Sequence, residues 1–197
     1  MKHPLNVSKL FNMKKLLLTL FFALGLLLSV NVSAARFFIT EGDFAAVSSD
    51  APVKIVIDFD STTVDGLSLD EFLTDINHRA EFKMEVNKYY ADFIKRFNSH
   101  CEHLTLTRSG DRQLQLMVNV KSIVPKGNVA DIEYVFTDVA TGKRLAVVTG
   151  TIKEGRYGSF SNLVGDVIRE AGGDFGDFVA GKIRFNKSKV LDDPIYK

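Results

Sequence analysis

The sequence predicts an α+β fold: a two-layer α/β sandwich, a mainly antiparallel sheet with two or three helices on one face. Two observations carry this. Residues 113–121 alternate, with Leu114, Leu116, Val118 and Val120 set against Gln113, Gln115, Asn119 and Lys121. Ile132, Tyr134 and Phe136 repeat that pattern, which is the period of half-buried strands. Two other stretches, 69–97 and 162–184, space their apolar residues at helical intervals.

In chain order, the first 35 residues hold no Asp or Glu. They carry Lys2, Lys9, Lys14 and Lys15, an apolar run from Leu16 to Leu28, and small residues up to Ala34-Ala35. A basic start, a short greasy core and a small-residue end make a secretory signal peptide. A run of thirteen residues rises only about 20 Å as a helix, short of a hydrocarbon core of ~30 Å. No integral membrane segment is therefore expected after cleavage. Met13 offers an alternative start, since Met13 to Ala35 is already a whole leader. Residues 36–185 are expected to form a single domain, and 186–197 a flexible C-terminal tail. From Arg36 to Pro52 the chain reads as an edge strand or wrapping arm. Val53 to Phe59 is apolar on both faces for most of its length, as an inner strand is. Asp60 to Gly66 reads as a loop.

Ser68-Leu69-Asp70-Glu71 has the form of a capping box. The helical spacing that follows runs through Leu69, Phe72, Leu73, Ile76, Ala80, Met84, Tyr90, Phe93, Ile94 and Phe97. Thirty helical residues would span about 45 Å, too long for such a domain. A break is expected near Asn77-His78-Arg79 or Glu85-Val86-Asn87. Leu104 to Thr107 is a short strand, and Ala140-Thr141-Gly142-Lys143 is a hairpin turn into Arg144 to Lys153. The last helix is expected over Asn162 to Arg184. Its Gly172, Gly176 and Ala180 form a small-residue seam for close approach to the sheet.

The leader holds four of the chain's 25 basic residues and none of its 24 acidic ones, so the remainder carries 21 against 24, a net charge of about −3. A mildly acidic domain without a basic cluster has little electrostatic hold on nucleic acid or an anionic membrane. Cys101 is the only cysteine. No intramolecular disulfide is available despite export, and a buried thiol is the expected state.

Two groups of residues bear on chemistry. Ile55-Val56-Ile57-Asp58-Phe59-Asp60-Ser61-Thr62 places two carboxylates on one side of a strand end. It resembles the first motif of haloacid-dehalogenase-type phosphatases. The resemblance implies a Mg²⁺-dependent phosphatase with Asp58 as nucleophile and Asp60 as acid/base. That family's parallel sheet is at odds with the alternating second half, and its late acidic pair would have to be Asp174 and Asp177, inside a helix. Solvated carboxylates ending a strand are the expected reading. His100-Cys101-Glu102-His103, with His78 outside it, raises a zinc reading through His100 and His103. Closure of a helix end is preferred, since His suits that dipole. No metal or other cofactor is expected. No Gly-x-Ser-x-Gly elbow occurs.

Glu41-Gly42-Asp43-Phe44, Val53 to Ser61 and Glu170 to Phe178 resemble segments of a set of uncharacterised secreted proteins from Bacteroidetes-type bacteria. More loosely, the layout, with Asp138-Val139-Ala140-Thr141-Gly142 at a hairpin, resembles envelope domains related to the TolB amino-terminal domain and the curli-secretion lipoprotein. The second resemblance implies interaction in place of catalysis. The expectation is a non-catalytic periplasmic or secreted domain that binds an envelope protein or cell-wall component. Its contact surface would be the open sheet face: Gln113, Gln115, Asn119, Lys121, Glu133 and Thr137.

Overall fold

Sheet and helices are set by the two periodicities described above. In the computed structural model, residues 36–47, 51–74, 76–153 and 158–192 are described, with side chains to Ile183 save those of 76 and 77. The expected leader and the last five residues of the expected tail lie outside them. Residues 35–197 form one compact unit.

The strands are β1 (Arg36–Gly42), β2 (Val53–Asp58), β3 (Thr63–Val64), β4 (Leu67–Ser68), β5 (Leu106–Thr107), β6 (Leu114–Val124), β7 (Val129–Asp138) and β8 (Arg144–Lys153). The helices are α1 (Leu69–Phe72), α2 (Ile76–His100) and α3 (Phe160–Asp192). Strand order is β1-β8-β7-β6-β2-β5. The run β1-β8-β7-β6 is antiparallel, as the alternation predicts, whereas β2 lies parallel to β6 and to β5. That parallel entry explains why β2 is apolar on both faces over Ile55 to Ile57: it is an inner strand, with a helical crossover between it and its parallel neighbour.

One sheet face is the core face. Val53, Ile55 and Ile57 of β2, Leu114 to Val120 in alternation on β6, and Ala130, Ile132, Tyr134 and Phe136 on β7 all turn towards α2 and α3. Phe175 of α3 stacks on Tyr134 with ring centroids 3.8 Å apart. The small residues of α3 serve helix–helix contact, not the expected approach to the sheet. A Cβ at Gly172 would lie 2.6 Å from the Phe93 carbonyl oxygen of α2, and one at Gly176 would lie 3.0 Å from that of Phe97.

The capping box is present: Glu71 N–H donates to Ser68 Oγ at 3.3 Å, and Ser68 N–H donates to Glu71 Oε2 at 2.9 Å. The break in the long helical stretch comes earlier than expected, after Phe72, with Leu73 as C-cap. Arg79 holds the corner by donating to the carbonyls of Leu73 and Asp70 at 3.1 and 3.0 Å. The expected loop at 60–66 contains instead a small hairpin. Asp65 and Gly66 both take positive φ, 48° and 87°, as a two-residue turn of that handedness requires. α3 also runs on past Arg184 to Asp192. The chain beyond Ile183 has no helix breaker before Pro194, so backbone helix continues where the apolar stripe has ended.

The two edges of the sheet differ. β5 ends at Thr107, opposite Lys54, so the far part of β2 has no strand beyond it. Tyr90 of α2 takes that place: Ile57 N–H donates to its Oη at 2.7 Å, and its O–H donates to Ile57 C=O at 3.0 Å. Arg108 lies over the Tyr90 ring, 4.4 Å from the centroid. At the opposite edge β1 carries a bulge between Ile39 and Glu41, and its Phe38 is 62% exposed.

Candidate functional site

The structure separates the residues that the sequence offers for chemistry. Asp58 ends β2, and its Oδ1 accepts the Asp60 N–H at 2.9 Å, a local turn between the two carboxylates. Thr62 is buried, donating its hydroxyl to Val120 C=O at 2.7 Å. Asp177 is engaged elsewhere, its Oδ2 lying 2.9 Å from His100 Nδ1, where it fastens α3 to the end of α2. Among the described residues no group of three or more His, Cys, Asp or Glu side chains is placed to hold a metal ion. The carboxylates around β2 therefore gain no third partner of that kind there.

His100 is the last residue of α2, whereas His103 lies three residues beyond the end of the helix. His103 Nε2 lies 3.4 Å from Glu102 Oε1 but is buried without a hydrogen bond. Cys101 is buried, as expected. Burial pushes its thiol pKa up, against the opposing pull of the His103 and Leu104 backbone N–H groups. A thiol held protonated in this way is a poor nucleophile.

The better-defined site is on the sheet face turned away from the helices. Register across β1, β8, β7 and β6 lines side chains into rows at right angles to the strands. One row is Phe38, Thr149, Glu133 and Asn119; the next is Arg36, Thr151, Asp131 and Ser122. Between them lies a groove of about 280 Å³ that also touches Ile132, Gly150 and Lys121. The carboxylates are held in place from the sides. Asp131 accepts from Ser122 Oγ at 2.9 Å and from Thr151 Oγ1 at 2.7 Å, and Glu133 accepts from Asn119 Nδ2 at 3.1 Å. Lys121 falls where the β6 register shifts, and such a bulge re-aims its side chain. Among the described residues the side chains of Arg36 and Lys121 make no ion pair or hydrogen bond.

The site depends on Phe37, which points the other way. Its ring meets Tyr134, Phe175 and Phe178 at centroid distances of 5.9, 5.7 and 5.1 Å. A Cβ at Gly150 would lie 2.6 Å from that ring, so glycine there lets Phe37 cross the strand. With Phe37 anchored inward, its neighbours Arg36 and Phe38 face outward.

No protein-family model and no curated protein matches the chain. Solved structures do show likeness. The PelC dodecamer from Paraburkholderia phytofirmans is 11% identical at a TM-score of 0.38, covering 72% of this chain and 97% of that one. Protein XCC0632 from Xanthomonas campestris, of family DUF330, is 8% identical at 0.38, covering 77% and 95%. At those values the likeness assigns no function to this chain. The resemblances to secreted Bacteroidetes proteins and to the TolB amino-terminal domain gain no support from these comparisons.

Of the residues expected on the open face, Lys121 and Glu133 line the groove, and Asn119 stands opposite Glu133 beside it. Gln115 and Thr137 pair with each other further along β6 and β7, and Gln113 precedes β6. That face is less polar than expected. Val56, Met117, Val135 and Val147 form a third row across it, and Val147 is only 2% exposed. Sequence reasoning missed Arg36, Phe38, Asp131, Thr149 and Thr151. The signal was available for Asp131, which alternates with Ala130 and Ile132, but β1 gave no clean period.

Proposed function

We propose that this chain is an exported, non-catalytic domain that binds another component of the cell envelope through the sheet face opposite its helices. The observation that carries the reading is the pair of cross-strand rows, whose carboxylates are held by neighbouring hydroxyl and amide groups while the cations beside them make no ion pair among the described residues. Ordered polar side chains around an open groove are suited to recognition. The leader supports export to the periplasm or beyond, and Asp58 and Asp60 hydrogen-bond locally with no metal-holding cluster of further acidic or His/Cys side chains among the described residues.

Chemical cross-linking in envelope extracts tests the reading, with a photoreactive residue replacing Thr149 in the groove and another replacing Met84 on α2. A specific partner captured from the groove position alone is the expected result. Recovery of monomer only, at every reagent level and from both positions, would refute it. A parallel assay with an aryl phosphate and Mg²⁺ should release no phosphate above the blank. Release that vanishes in Asp58→Asn would replace the binding reading with the phosphatase.

A further inference from the structure

The groove has a chemistry that narrows what it can hold, and the inference drawn from it rests on the binding reading above. Both signs of charge line it: Arg36 and Lys121 stand at its two ends, and Asp131 and Glu133 lie between them on β7. A polyanion entering it would meet both carboxylates, and a polycation would meet both cations. A purely apolar partner would strip water from four charges without replacing it. A ligand made of hydroxyl groups suffers none of these penalties, because each hydroxyl both donates and accepts. It can donate to Glu133 and Asp131 and accept from Arg36, Lys121 and the Thr149 hydroxyl.

The shape agrees. Strands are ~4.8 Å apart, so a groove crossing four of them is about 14 Å long. Its volume of about 280 Å³ sits just below the usual range for small-molecule sites, ~300–1,000 Å³. A shallow track of that size suits a few units of a longer chain better than an enclosed small molecule. At one end Phe38, 62% exposed, offers a flat apolar surface beside the Arg36 donors, which suits a ring with one C–H face and hydroxyls on its rim.

We infer that this groove is a binding site for a neutral glycan, a short stretch of which lies across β1, β8, β7 and β6 between the two side-chain rows. Phe38 packs against a sugar ring, Glu133 and Asp131 accept from sugar hydroxyls, and Arg36 and Lys121 donate to them.

The test uses the chain expressed with its own leader, isotope-labelled and titrated by NMR. Neutral hexasaccharides (chitohexaose, cellohexaose, maltohexaose and mannohexaose) are compared with tripolyphosphate and spermine. The expected result is saturable shifts at Phe38, Glu133 and Thr149 with at least one hexasaccharide. Binding should fall at least tenfold in Phe38→Ala and in Glu133→Gln, and remain unchanged in Met84→Ala on α2. Both groove variants alter exposed or half-buried side chains, and their spectra report whether the fold survives. Failure of all four glycans to move those signals overturns the inference, as does binding of tripolyphosphate or spermine alone. Those outcomes leave the binding reading intact if the Thr149 photo-crosslink still captures a protein. Loss of both results would sink the two together.

Discussion

Replacing Tyr90 with Phe removes a single oxygen and should show how the bare part of β2 is sealed. That oxygen accepts from Ile57 N–H and donates to Ile57 C=O, while the ring and its contact with Arg108 persist in the variant. A buried polar group left unpaired costs about 1–3 kcal/mol. Two are affected here, but the position is only part-buried, so water can reach some of the released groups. A loss of about 2–3 kcal/mol follows, equivalent to a fall in Tm of about 4–12 °C for a domain of this size. Urea denaturation measures the first quantity, and hydrogen exchange at the Ile57 amide locates it. The amide should be protected in the parent chain and exchange freely in the variant, with amides on β7 unchanged. A loss under about 0.5 kcal/mol, or continued protection of Ile57, would refute the claim that Tyr90 substitutes for a strand.

Gly172→Ala should destabilise the chain, because its Cβ would sit 2.6 Å from a backbone oxygen of α2, whereas Gly181→Ala, facing open space on the same helix, should gain about 0.5–1 kcal/mol; thermal melts of the pair decide this. Cys101 should resist a thiol reagent in the native protein and react once denaturant is added, and rapid native labelling would contradict its burial. Ser68→Ala should cost about 0.5–2 kcal/mol through loss of the cap, read from urea titration. The Thr141 backbone N–H, followed by its hydroxyl, holds the Asp138 carboxyl below its usual range. With the folded pKa below the unfolded one, the stabilisation is present above the unfolded pKa of about 3.9 and is lost as pH falls through the folded value. NMR titration should show the Asp138 midpoint rising in Thr141→Val.

The legible parts of the fold were those where one local rule dominates. Alternation placed β6 and β7, Ser68 with Glu71 marked the start of α1, and apolar spacing found both long helices. The misplaced features depend on partners distant in sequence. The break after Phe72 is held by Arg79 reaching back to Asp70 and Leu73, and nothing in a helical pattern encodes that. The glycines of α3 were read as facing the sheet because a seam of small residues states only that something comes close, not what. The hairpin at Asp65-Gly66 was a different kind of miss. Its turn residues were in plain view, but the flanking strands are two residues each, too short for a period to register.

The groove was less legible than the fold for a physical reason that also bears on its specificity. Each of its rows gathers residues from four strands, and Arg36 is more than a hundred positions from its neighbour Thr151. Alternation gives the face a residue occupies but not which residue on the next strand it meets; that is set by register, and a one-residue slip would exchange the faces. Two bulges intervene here, at Ile39/Glu41 and at Val120/Ser122. The second inserts Lys121 and changes the parity of everything beyond it, so that Ser122, not Lys121, stands opposite Asp131. Without that bulge Lys121 would stand opposite Asp131, Ser122 would fall opposite Ala130 on the core face, and Ile123 would leave the core. The bulge thus couples the polar row outside to the apolar packing inside. It explains why a strand that alternates cleanly up to Val120 departs from the pattern beside the groove.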